Sequence, residues 1–191
     1  MTVKVDLRVV KTKQRLQDAF FLLLEEKCLE DITINNLCVT AHVRRGTFYK
    51  HYENKSDFIA DLISNIRNRF DDEFLGTRTG SYLTKEYYIK YTESIVSFLY
   101  AREHAIRKIL ESNMRANFID IFMKQNYIDT KERLTESVKR GMRLSSSVDV
   151  TASMLIGGVS HNIIRWFESE EKEPITVLLA DIQRFLDANL R

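Results

Sequence analysis

The sequence contains a single proline, Pro174, and only six glycines in 191 residues. That scarcity removes the turn chemistry that a chain of short strands needs. Long segments are left free to be helical. Two cysteines, Cys28 and Cys38, are too few for a disulfide scaffold and lack Cys-x-x-Cys spacing. Cys28, Cys38 and His42 read as small apolar residues beside a turn histidine rather than as metal ligands, so no metal or other cofactor is expected. The longest strongly apolar run, residues 19–24, is far short of a bilayer span. Residues 1–13 are basic and polar, without the apolar core of a secretory signal. A cytoplasmic protein without membrane contact is expected. There is no Gly-x-Gly-x-x-Gly, no phosphate-loop lysine motif and no His-Glu-x-x-His. An enzyme is therefore not expected.

What is present is ordinary globular composition, 44% hydrophobic and 29% charged, with apolar residues repeating at helical spacing nearly throughout. The spacing predicts an all-α fold. Leu16, Ala19, Phe20, Leu23 and Leu24 define a first helix from residue 11 to 28. Thr33 caps a short second helix with Ile34, Leu37 and Cys38 inward, and residues 44–52 form a third. Asn54 and Asp57 open a long fourth helix striped by Phe58, Leu62, Ile66, Phe70 and Phe74 and closed by glycines at 76 and 80. Later helices are expected over 82–101, 103–111, 114–142, 148–167 and 175–190.

The net charge of +2 is modest, but Lys4, Arg8, Lys11, Lys13 and Arg15 crowd the first residues. Glu168, Glu170, Glu171 and Glu173 crowd a late loop. Two short helices joined by a few residues have helix-turn-helix geometry. If Phe48 and Tyr52 anchor the third helix, its opposite side displays Arg45, Thr47, Tyr49, Lys50 and His51. Such a face suits the major groove, where arginine or lysine addresses guanine and threonine touches a thymine methyl. Gly46 lets the helix start approach a phosphate. Lys55, in the first turn of the fourth helix, is placed to grip a phosphate with the local amides, and Thr33 to do so at the second helix. The basic residues 4–13 read either as an arm along the DNA or as a solvated tail.

The run from Thr33 to Phe58, with Gly46-Thr47-Phe48-Tyr49, His51-Tyr52 and Lys55 at fixed offsets, resembles the DNA-binding domain of the TetR family of bacterial regulators. The resemblance covers about the first third of the chain. It implies an Ω-shaped dimer of roughly nine helices per chain, whose last two helices build an intersubunit four-helix bundle, and a ligand pocket in the larger part. Residues 1–56 would then be the DNA-binding domain and 57–191 the helical regulatory and dimerisation domain. Carried over by position, Thr33, Arg45, Thr47, Tyr49, Lys50, His51 and Lys55 contact DNA. Three positions depart from the family pattern: His42 stands where the turn often has glycine, Arg44 replaces a capping serine, and Cys28 follows the first helix where glycine is common. Arg44 gives up a cap but adds a possible phosphate contact.

In the larger part, tyrosines and other aromatics are dense from residue 82 to 127. Tyr88, Tyr91, Phe122 and Trp166, with His104 and His161 as polar groups, are the candidate lining of a small-molecule pocket. Gly157 and Gly158 interrupt an apolar helix, which a close helix crossing would explain. Ile156, Gly157, Val159, Leu178, Ile182 and Phe185 are the candidate homodimer surface. The expected function is a dimeric repressor released from a palindromic operator on duplex DNA by a small-molecule inducer. The alternative is a coactivator or adaptor of the same fold that works through a protein partner.

Overall fold

The computed structural model describes residues 7–75 and 85–189, and among them it contains nine α-helices, one short 3-10 turn and no strand. The helices are α1 (Leu7–Glu26), α2 (Ile34–Thr40), α3 (Arg45–Phe48), α4 (Lys55–Leu75), α5 (Lys85–Tyr100), α6 (Glu103–Leu110), α7 (Arg115–Lys139), α8 (Val148–Glu168) and α9 (Ile175–Asn189). The all-α expectation holds, with element ends moved by a few residues. Lys4, the glycines at 76 and 80 and Tyr82 lie outside the described residues, as does the side chain of Phe74.

Two differences in element ends bear on the site. Helix α1 begins at Leu7, so Arg8, Lys11 and Lys13 sit on a helix rather than on an extended arm. The α-helical part of α3 is four residues long, shorter than the expected 44–52. The chain nevertheless keeps turning, because Lys50 N–H donates to Thr47 O at 3.3 Å and His51 N–H to Phe48 O at 2.9 Å. These tighter i→i+3 closures are usual where a short helix ends.

The described residues form two compact units. The first comprises the chain up to Leu62 together with His104–Phe118. Its core gathers Leu16, Phe20, Leu24, Leu29, Leu37, Phe48 and Phe58, each no more than 1% exposed. Helix α1 packs on α2, and α2 on α3. Within this unit Lys108 Nζ donates to Glu25 O at 3.1 Å and Asn113 N–H to the Glu30 carboxylate at 3.2 Å. These bonds tie α6 to α1 and the segment before α7 to the 3-10 turn at Leu29–Asp31.

The second unit comprises the described parts of Ile63–Glu103 and Ile119–Arg191. Helix α9 packs on α5 and α8. Arg67 of α4 is only 4% exposed, which is costly for a charge unless its donors are met. Nη2 donates to Thr130 Oγ1 at 3.0 Å and Nε to Tyr91 Oη at 3.2 Å, while Nη1 lies 2.8 Å from the Asp129 carboxylate as its ion-pair partner. Helix α7 ends where Gly141 turns at φ +106°. Gly141 N–H then reaches Val138 O, and Met142 N–H reaches Ser137 O. That double closure is the Schellman motif, for which glycine is the usual residue.

Candidate nucleic-acid interface

Two caps bound α2, the second of them building its turn into α3. At the start of α2 the Thr33 hydroxyl accepts from Asn36 N–H at 3.1 Å, while Asn36 Oδ1 accepts from Thr33 N–H at 3.2 Å. The two residues thus form a reciprocal capping box. At the end of α2, His42 N–H donates to Val39 O and Val43 N–H to Cys38 O at 2.9 Å. This is again a Schellman closure, with His42 at φ 52° in the place glycine usually takes. Residue 44 then enters α3 in extended geometry and makes no side-chain cap.

The side of α3 that faces the core is aromatic. Phe48 is 0% and Tyr52 3% exposed. Their rings lie 5.2 Å apart, and each meets Phe58 of α4, at 6.1 and 5.4 Å. Phe20 of α1 completes the cluster at 5.6 Å from Phe58. Edge-on and tilted rings at these separations add to the gain from burial. Tyr52 is fixed further by its hydroxyl, which donates to Asp61 at 2.7 Å, and Lys13 Nζ pairs with the other oxygen of that carboxylate at 2.7 Å.

The opposite side points to solvent. Arg44, Arg45, Gly46, Tyr49 and Lys50 are exposed, while Thr47 and His51 are half-buried. Arg45 lies over the Tyr49 ring at 5.5 Å and donates from Nη2 to the Tyr49 hydroxyl at 3.3 Å. The phenol bond is the main reason the guanidinium holds its proton even more tightly than usual. Val39, 66% exposed at the end of α2, adds an apolar side chain that the sequence reading passed over. The signal was there: Leu37, Cys38 and Ala41 all face inward, which turns Val39 outward.

Two predicted contacts are placed differently from the expectation. The Lys55 ammonium is half-buried and donates to Leu29 O at 2.9 Å and Ile32 O at 3.0 Å. Burial lowers its pKa, against the pull of Glu30 and Asp31. It closes the carbonyl end of the 3-10 turn (Leu29–Asp31) instead of projecting to solvent, and one of its three donors remains. The Thr33 hydroxyl is likewise engaged in the capping box.

The residues expected in a ligand pocket differ in burial. Tyr88 is buried and Tyr91 half-buried, with Tyr91 stacked on Tyr87 at 5.8 Å. Phe122 is half-buried, and Trp166 donates from Nε1 to Glu173 O at 2.8 Å. His104 and His161 are exposed rather than enclosed, and His104 belongs to the first unit. Polar residues on the outer side of amphipathic helices turn to water, and both histidines follow that rule. Of the six residues expected at a dimer surface, Ile182 is instead buried at 6% exposure within its own chain, as the inward stripe it shares with Leu186 requires. Phe185 is 40% exposed, while Ile156, Gly157, Val159 and Leu178 are half-exposed.

Among the described residues no group of three His, Cys, Asp or Glu side chains is placed to hold a metal ion, and no helix is long and apolar enough to cross a membrane.

No family model matches the chain. Over 61 residues it is 39% identical to the HTH-type transcriptional regulator YxbF of Bacillus subtilis (strain 168), a stretch covering 31% of this chain and 16% of that protein. The chain spans about a third or less of the length of the curated relatives it matches. Over 95% of its length it superposes on 96% of a TetR transcriptional regulator from Rhodococcus sp. RHA1, with TM-score 0.63 and 15% identity. This is the TetR-regulator fold. The chain also superposes on Lin0861 from Listeria innocua, with TM-score 0.64 and 25% identity over 98% of this chain and 96% of that one. In TetR-fold terms the α2–α3 pair is the helix-turn-helix, and the curated relative carries that description in its name.

Proposed function

We propose that the chain is a TetR-type transcriptional regulator that binds duplex DNA through α3 and its flanking caps. Residues 1–56 would carry DNA recognition and residues 57–191 regulation and dimerisation. The observation that supports this most strongly is the two-sidedness of α3. Its aromatic residues are sealed in the core, with Phe48 at 0% exposure, while cations and hydroxyls stand on the open side. Arg45 and Lys50 are the base-reading cations, and Thr47 together with the exposed Val39 suits thymine methyl groups. Arg44, Tyr49 and His51 flank them towards the phosphates, with Thr33 and the remaining donor of Lys55 at the rim.

The second half of the proposal is a homodimer formed by α8 and α9. A Cβ added at Gly157 or Gly158 would meet nothing within 4 Å among the described residues, so no close crossing among them accounts for these glycines. The helices also leave Met154 at 61%, Val177 at 41% and Phe185 at 40% exposure. An apolar, glycine-bearing face of this kind suits an isologous helix bundle. Two α3 helices related by a two-fold axis would address half-sites one turn of DNA apart, about 34 Å. In this reading the protein is a repressor, and a small molecule that favours another spacing loosens its hold on the operator.

Selection from a random duplex library tests the reading. The expected product is a palindromic motif with half-sites spaced by one helical turn or a multiple of it. Arg45→Ala should relax the motif at particular base pairs, whereas Tyr49→Ala should weaken binding across sequences. Recovery of no motif at low salt overturns the proposal.

A further inference from the structure

Trp166, the chain's single tryptophan, and Phe167 close α8 with their rings nearly perpendicular, centroids 5.1 Å apart and planes at 87°. The Lys172 ammonium occupies the corner they make, 4.5 Å from the Trp166 centroid and 5.6 Å from that of Phe167. On the remaining side it pairs with the Glu103 carboxylate. Ring faces and a carboxylate gathered around one ammonium are the means by which proteins recognise alkylammonium ligands.

The aromatic walls of this corner have contacts other than Lys172. Trp166 Nε1 donates to Glu173 O at 2.8 Å, Tyr100 packs against the indole at 5.9 Å, and Phe167 is 1% exposed. The loop between α8 and α9 also closes on itself, the Ser169 hydroxyl donating to Glu171 O at 2.7 Å. Thus the indole and the loop have contacts of their own that do not depend on the lysine side chain. Lys172 is a point charge on a flexible four-carbon stem, well suited to leave and return.

We propose that Trp166, Phe167 and Glu103 form an ammonium-binding cage that Lys172 fills in the absence of ligand and that a polyamine enters by displacing it. As a tethered competitor, Lys172 acts at an effective concentration on the order of millimolar. A single free ammonium gains little against it. A ligand with several ammonium groups gains more, because the exposed Glu168, Glu170, Glu171 and Glu173 flank the cage and concentrate multivalent cations there. The cage is independent of DNA recognition, so its test needs no operator.

The experiment follows Trp166 fluorescence of the full-length protein during titration with spermidine, with magnesium chloride at matched ionic strength as the control. The wild type should show a saturable change with spermidine that magnesium does not reproduce. In Lys172→Met, which keeps the apolar stem, the midpoint should fall about tenfold or more, and the protein should now respond to butylammonium as well. Glu103→Gln should lose both responses. An equal effect of magnesium, or a folded Lys172→Met protein that ignores butylammonium, overturns the proposal. If Lys172→Met does not fold by circular dichroism, the wild-type comparison of spermidine with magnesium decides alone.

Discussion

The Tyr52 hydroxyl donates to Asp61 at 2.7 Å, and through that carboxylate the end of the α3 segment is tied to α4 and, by Lys13, to α1. Helix α3 is too short to be stable alone, so its pose depends on such ties. Tyr52→Phe keeps the ring and removes the bond to a carboxylate, which should cost about 2 kcal/mol of stability. Chemical denaturation of wild type and variant measures it, and an unchanged midpoint would contradict the role given to the pair.

The same pair sets a pH limit. Burial first, and then the bond to Asp61, raise the Tyr52 pKa above its ordinary value of 10.0. A folded-state pKa above the unfolded one gives stability that is fully present below the unfolded value and lost as pH rises beyond it. Thermal unfolding should therefore show a fall in midpoint above about pH 10 that is smaller in Tyr52→Phe. Parallel curves for the two proteins would sink this prediction.

Lys55 should behave as a structural residue as much as a DNA contact. Its ammonium donates to Leu29 O and Ile32 O, so Lys55→Met leaves two carbonyls short of a donor, at a cost of about 1–3 kcal/mol. The salt slope of DNA binding should change less for Lys55→Met than for Lys50→Ala, whose lysine is exposed. A folded, fully stable Lys55→Met protein with a much flatter salt slope would instead make Lys55 chiefly a phosphate contact.

His42 holds φ 52° at the end of α2, a conformation that costs a side chain about 1 kcal/mol or more and glycine nothing. His42→Gly should raise stability by about 0.5–1 kcal/mol, the gain being reduced by the freer unfolded chain. A loss of stability in the denaturation curve would mean that the imidazole makes a contact outweighing the strain.

The glycines of α8 separate chain stability from assembly. Space is open around a Cβ at Gly158, so Gly158→Ala should favour the helix by about 1 kcal/mol within the chain. At a close helix crossing between two copies the same methyl would stand in the way. Sedimentation equilibrium should therefore show a weaker dimer for Gly158→Ala, and a dimer as tight as wild type would remove these glycines from the interface.

Local signals made the helix-turn-helix legible in the sequence. Thr33 sits at a cap, Phe48 and Tyr52 share one side of a turn and a half of helix, and Asn54 with Asp57 opens α4, where Asn54 Oδ1 accepts from Asp57 N–H at 2.9 Å. The pairings that stayed hidden all depend on residues distant in sequence. Lys55 reaches carbonyls 26 and 23 residues earlier, and Arg67 meets Thr130 across 63 positions. A charge in a helical pattern reads as surface, so a buried guanidinium with three partners leaves no periodic trace. His161 shows the reverse: expected as a polar group of a pocket, it is exposed on α8.

The central claim is that the open side of α3 meets DNA while Phe48 and Tyr52 stay sealed beneath it. Amide and methyl NMR of the full chain, titrated with the duplex recovered by selection, tests it most directly. The account predicts shifts concentrated at Thr33, Val39 and residues 44–51, with the Phe48 and Tyr52 ring signals remaining those of a closed core. Shifts confined to α8 and α9, or a duplex that leaves residues 44–51 untouched, would contradict it.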